Sequence, residues 1–135
     1  MRNYLGHSDI NLSARDLAKF GLLYLNDGRY NGHQLVPPSW VDESLQIYSE
    51  DAWQFRVGRN WDDNGYGYQW WLPGGDDKQD YAAVGVYNQF IYVNPRSRMV
   101  IVKLSANSSY GQSGSESASR EAETIAFFRS LAAEY

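Results

Sequence analysis

Nucleophilic catalysis needs a Ser, Cys or Thr with a base in reach, and one common solution sets a Lys one helical turn after a Ser. No Ser in this sequence has a Lys three residues on. Tyr24-Leu25-Asn26 matches a Tyr-x-Asn catalytic pattern, but it ends an amphipathic helix with Tyr24 on the apolar side, a packing position. Ser105-Ala106-Asn107 stands at a strand end and offers no more. Asp62-Asp63 and Asp76-Asp77 pair carboxylates, as acid–base hydrolysis requires, yet both lie in polar loops where solvated turn residues are the ordinary reading. No Gly-rich stretch has the strand-to-helix setting of a phosphate cradle. His7 and His33 are far apart and lack carboxylates at ligand spacing, and Cys is absent, so neither a metal nor another cofactor is expected. The residues alone hold no complete catalytic constellation.

One residue breaks its local pattern. The stretch YAAVGVYNQFIYVNP, Tyr81 to Pro95, reads as a strand with Gly85 in its first half. Glycine weakens a strand interior, so either the chain bulges there or another group approaches the backbone closely.

The elements around it follow from pattern. Ser13 with Asp16 three residues later forms a capping box, and Leu17, Phe20, Gly21, Tyr24 and Leu25 then share one helical face. Asn26-Asp27-Gly28 stops this helix, and mid-helix Gly21 is expected to admit another backbone closely. Asn31-Gly32 is tight-turn chemistry, and Pro37-Pro38 opens a second helix through Trp40, Val41, Ser44, Leu45 and Tyr48. Residues 50–65 read as loop. Three strands are expected, at Tyr66–Leu72, Tyr81–Pro95 and Met99–Ser105, joined as an antiparallel meander by the loop 73–80 and the turn Asn94–Arg98. A Ser/Gly-rich segment, Ser105–Ser119, leads to a last helix from about Glu116, with Ala118, Ala122, Ile125, Phe128 and Tyr135 on its buried side against the sheet. The fold class is α+β, an antiparallel sheet flanked by helices. With three strands its layer is incomplete and its edges are long.

The totals limit the function classes. A net charge of −4 without a Lys/Arg cluster argues against nucleic acid, and no apolar run approaches a membrane span. Aromatics reach 16% with eleven Tyr and five Trp, which suits a pocket or interface but equally a sheet core.

Three ordered segments carry a family resemblance: LSARDLAKFGLLYLNDGRYNGHQLVPPSWV (Leu12–Val41), GYGYQWW (Gly65–Trp71) and AVGVYNQFIYVNPRSRMVIVKLS (Ala83–Ser105). Together they resemble the C-terminal third of the serine hydrolase superfamily that includes class C β-lactamases, penicillin-recognising D-peptidases and related esterases. Within it the likeness is greatest to 6-aminohexanoate-dimer hydrolases and kindred carboxylesterases.

By position, Ala83-Val84-Gly85 matches the family's third motif, a Lys-Thr-Gly or His-x-Gly triplet, of which only the glycine is kept. The resemblance implies that the Val86 backbone N–H forms half of an oxyanion hole, with Gly85 letting a substrate lie flat against the strand. It also implies that Tyr87 and Asn88 border the substrate, Asn88 standing where the family often has Gly. It implies residues 1–135 as one C-terminal portion of a hydrolase domain, helical over 1–50, with strands and a terminal helix over 65–135. The partners are then a small ester, amide or peptide substrate and the missing N-terminal part of the same domain, bearing the Ser-x-x-Lys nucleophile and the catalytic Tyr. The isolated chain is expected to be inactive on a chromogenic ester and poorly soluble. The alternative is a non-catalytic ligand- or protein-binding module on the same scaffold, presenting Tyr66, Trp70, Trp71 and Tyr87.

Overall fold

The computed structural model describes residues 11–47, 65–73, 80–110 and 120–135. Helix α1 spans Ala14–Leu25 and starts as its pattern requires: Ser13 Oγ accepts the Asp16 N–H at 3.2 Å and donates to the Asp16 carboxylate at 2.6 Å. It ends at Asn26, with Asp27 and Gly28 both at positive φ, 52° and 81°. Strands β1 (Arg29–Tyr30) and β2 (His33–Gln34) make a two-stranded ladder around Asn31-Gly32, whose φ of 49° and 80° explain that residue pair. Helix α2 spans Pro38–Ser44, with the Pro37-Pro38 pair at its start.

The main sheet is antiparallel throughout, as the meander reading requires, but among the described residues it has five strands where periodicity gives three. Their order is β3 (Gly65–Tyr66), β4 (Trp71–Leu72), β5 (Tyr81–Gly85), β6 (Gln89–Asn94) and β7 (Met99–Lys103). Two of the expected strands are hairpins. Between Tyr66 and Trp71 the chain reverses at Gln69, φ 64°, with Gly67 N–H donating to Trp70 O at 2.9 Å. Tyr81–Pro95 breaks at residues 86–88, where Tyr87 and Asn88 adopt φ of 64° and 67°. Apolar alternation continues across both turns, and neither turn has glycine at its left-handed positions, so the pattern conceals them. The β6–β7 turn falls where expected: Asn94 Oδ1 accepts the Ser97 N–H at 3.0 Å, and Arg98 takes φ 54°.

Strand alternation sends side chains to two opposite faces and so builds two cores. Tyr81, Ile91 and Val93 face α1, joined by Tyr24, Leu25, Trp70 and Leu72. Trp70 is the hub, its ring 4.6 Å from Tyr24, 5.1 Å from Tyr81 and stacked 6.0 Å from Phe20. Ala82, Phe90 and Tyr92 face the other way, onto Ile125 and Phe128 of helix α3 (Glu121–Ala133). Helices thus cover both faces of the sheet.

Details depart from the periodic reading. Phe20 is half exposed because it lies at the rim over Trp70, and Tyr135 is exposed because α3 stops at Ala133. Helix α3 begins at Glu121, after Arg120 in the left-handed conformation; Ala118 and the expected start at Glu116 lie outside the described residues. What approaches Gly21 is side chain rather than backbone: a Cβ there would stand 2.6 Å from Val100 Cγ1 and 3.0 Å from Ile91 Cγ2. His7, Tyr48, Asp62-Asp63 and Asp76-Asp77 also fall outside the described residues.

Candidate active site

Gly85 is the last residue of β5, paired with Gln89 across the hairpin. The register from Tyr81↔Val93 to Gly85↔Gln89 is unbroken, so no bulge lies within β5. Its φ is not in the left-handed region, and a Cβ there would meet nothing nearer among the described residues than Gln89 Cβ at 3.6 Å. Neither turn geometry nor internal packing accounts for glycine at this position.

Val86 and Tyr87 are 60% and 53% exposed and stand on the outer side of the turn. The Tyr87 ring lies 6.3 Å from that of Tyr110, whose hydroxyl donates to Glu121 Oε1 at 2.9 Å. Burial first, then the Glu121 charge, holds the Tyr110 phenol well above its ordinary range. Asn88 turns inward and is 1% exposed; its Oδ1 accepts from Lys103 Nζ. Gly85, Val86 and Tyr87 therefore share the outer side, and the Asn88 side chain backs onto β7 and α3.

A cavity of about 730 Å³ opens between the end of β7 and α3, bordered by Asn88, Lys103, Asn107, Arg120, Thr124 and Phe127. Asn88 is the one residue of the predicted four that borders it. Lys103 is partly buried here with its Nζ 5.7 Å from the Phe90 ring centre. Burial, then the Arg120 charge, lowers its ammonium below the ordinary lysine range, while Glu123 opposes them. Sequence reasoning passed over Lys103. The available signal was its place in MVIVKLS: alternation puts it on the face opposite Val100 and Val102, where an inward cation requires partners.

A second polar cluster was also missed. Asp80, read from the sequence as loop, is 1% exposed and accepts from Tyr92 OH at 2.9 Å and from Arg129 at 2.6 and 2.9 Å. These bonds tie α3 to the start of β5. Of the aromatics proposed as a binding surface, Trp70 is 3% exposed, in the core, and Tyr66 packs on Trp71 at 4.5 Å. Tyr24, of the Tyr-x-Asn match, is likewise a core residue. Among the described residues no group of three or more His, Cys, Asp or Glu could hold a metal, and no helix is long and apolar enough to cross a membrane.

No protein-family profile matches the sequence. A 6-aminohexanoate-dimer hydrolase from Paenarthrobacter ureafaciens is 31% identical over 98 residues, which are 72% of this chain and 25% of that protein. A solved structure from Bacillus anthracis, bearing the same hydrolase name in its description, superposes on 90% of this chain and 30% of its own with a TM-score of 0.58 and 31% identity. The chain thus spans about a quarter of the one and three tenths of the other. Sequence and fold agree over that stretch: the chain is homologous to a part of these two proteins, each named a 6-aminohexanoate-dimer hydrolase.

Proposed function

We propose that this chain is the C-terminal portion of a serine hydrolase that cleaves ester or amide bonds through an acyl-enzyme. The outer side of the β5–β6 turn is its contribution to the active site. The Val86 N–H is one donor of the oxyanion hole, and Tyr87 is a wall of the substrate pocket. The nucleophilic Ser, its Lys base and the catalytic Tyr come from the part of the hydrolase that these residues do not span. Linear amides of the kind named for the relatives are the first substrates to assay, beside simple esters.

The observation that carries this reading is Gly85. Nothing described within the chain crowds the site of its missing Cβ, its φ is ordinary, and it opens to solvent beside Val86. A substrate lying against the strand gives the glycine a reason. A backbone donor aimed at a developing oxyanion stabilises the transition state by about 3–4 kcal/mol, independently of the side chain that follows it.

The test is made in the full hydrolase. Val86→Pro removes the N–H and is expected to lower kcat on esters by about a hundredfold to a thousandfold. Val86→Ala keeps the N–H and is expected to stay active, as is Ser13→Ala, which loses a helix cap on another element. Undiminished turnover in Val86→Pro would sink the assignment. Ligand binding without turnover in the unmodified full protein would favour the non-catalytic module instead.

A further inference from the structure

All three carbonyls of the β5–β6 turn are held. Val86 O accepts Gln89 Nε2–H at 3.2 Å, Tyr87 O accepts the Asn107 N–H at 3.3 Å, and Asn88 O accepts Lys103 Nζ at 3.3 Å. The donors come from the start of β6, the segment after β7, and β7 itself. Such anchoring has a purpose, because Tyr87 and Asn88 occupy the left-handed region without being glycine. Residues in that region persist where their surroundings over-determine them.

Of these three bonds, the one from Lys103 is charge-assisted. Its ammonium reaches both Asn88 O and Asn88 Oδ1, and hydrogen bonds to a charged donor are roughly twice as strong as neutral ones. Thr124 competes for the same Oδ1 but does not replace it. Its Oγ1 lies 3.3 Å from Asn88 Oδ1 and 2.6 Å from Arg120 O, and a hydroxyl has one proton to give. The shorter bond claims that proton, which leaves Lys103 as a donor to both Asn88 oxygens. The pairing Phe90↔Lys103 brings the side chain to the α3-facing side of the sheet, next to the turn.

We propose that Lys103 is a positioning residue which, through Asn88, fixes the direction of the Val86 N–H. The catalytic meaning of this role rests on the oxyanion-hole reading; the holding of the turn does not. Lys103 touches no reacting atom, and its effect passes entirely through the backbone of residues 86–88.

The first readout is NMR of the full hydrolase with selective labelling, comparing the amide shifts and HN–Hα couplings of Val86, Tyr87 and Asn88. Lys103→Met is expected to shift these signals and average the couplings while Ile125 and Phe128 keep theirs. Lys103→Arg, which again offers several donors from one cation and has the neighbouring cavity to extend into, is expected to restore them. Asn88→Gly accepts the same φ without the carboxamide, so adding Lys103→Met to it is expected to change the turn less than in the unmodified chain. Turn signals unaltered by Lys103→Met overturn the proposal, and so does a Met variant in which core and turn change together.

The second readout is kinetic. In the full hydrolase Lys103→Met is expected to lower kcat by about tenfold to a hundredfold with KM little changed, and Arg to recover it. If Val86→Pro is harmless while Lys103→Met still reshapes the turn, the oxyanion reading falls and the holding role stands. If Val86→Pro is inactive and Lys103→Met leaves turn and kcat alone, the positioning role falls and the oxyanion reading stands.

Discussion

Arg129 on α3 grips Asp80 at the start of β5 with two parallel bonds, Nε to Oδ2 at 2.6 Å and Nη2 to Oδ1 at 2.9 Å. Asp80 is 1% exposed on its side chain and Arg129 45%, so the carboxylate is the partner that burial penalises.

Removing the guanidinium therefore leaves a buried charge with Tyr92 OH as its remaining donor among the described residues. Arg129→Ala is expected to destabilise the chain by roughly 2–3 kcal/mol, the solvent-facing side of the pair keeping the loss below that of a fully buried one. Asp80→Asn is expected to cost less, because the carboxamide keeps an acceptor for Tyr92 without a buried charge. Urea denaturation of the three proteins measures both, and an Arg129→Ala midpoint equal to the unmodified chain would contradict the ranking.

Gly21 gives a packing test. A Cβ there falls 2.6 Å from Val100 Cγ1, and Val100 is β-branched with little freedom at χ1. Gly21→Ala gains about 1 kcal/mol of helix propensity but overpacks the α1–sheet contact by about 1–3 kcal/mol, so a net loss is expected. Val100→Ala opens the space, and in that background Gly21→Ala is expected to become neutral or stabilising. A double-mutant cycle by chemical denaturation reads the coupling; additivity would mean that the two sites do not meet.

Much of this fold is written in local chemistry. The Ser13/Asp16 cap, the Asn31-Gly32 turn and the Pro37-Pro38 start are each fixed by residues within a few positions of one another, and each appears where the sequence puts it. The two hidden hairpins are different. Gln69, and Tyr87 with Asn88, take left-handed φ without being glycine. Residues distant in sequence bond to these turns: Asn107 and Lys103 donate to Tyr87 O and Asn88 O, and the Tyr68 N–H donates to Ser44 O. Periodicity cannot register a turn whose cause is tertiary. The same limit hid Asp80: a loop aspartate is ordinary until Arg129, on a helix far along the chain, closes on it. Gly85 was legible as an anomaly, and the structure narrows its explanation by removing the bulge.

That narrowing makes Gly85→Ala informative. The new methyl would rest 3.6 Å from Gln89 Cβ, an ordinary contact, at a φ that alanine accepts. Stability of the chain is expected to stay the same or rise by up to about 1 kcal/mol, since alanine restricts the unfolded chain more than glycine does. Hydrolysis by the full enzyme is expected to fall, because the methyl occupies the space assigned to substrate. A variant that loses stability and activity in parallel would point to a packing role for the glycine instead.

The tyrosines set the alkaline limit of the fold. Burial is the leading cause that raises the phenols of Tyr81, Tyr92 and Tyr110 above their ordinary value of 10.0, with nearby acidic groups adding to it in each case. A raised folded-state pKa means that the folded chain keeps protons which the unfolded chain has already released. Below pH 10 both states are protonated and the full contribution is present; above it the unfolded state binds fewer protons, so stability falls as pH rises. Lys103, lowered from 10.5, works in the opposite sense, because there the unfolded state binds the extra proton. Among the described residues that one group stands against these three phenols and a fourth, Tyr66, which burial also raises. Urea midpoints are accordingly expected to fall once the pH passes about 10, and Tyr92→Phe to flatten that slope while losing its bond to Asp80 at neutral pH. A midpoint that holds steady through the alkaline range, or a slope unchanged in Tyr92→Phe, would show that the buried phenols ionise in the folded chain as readily as in the unfolded one.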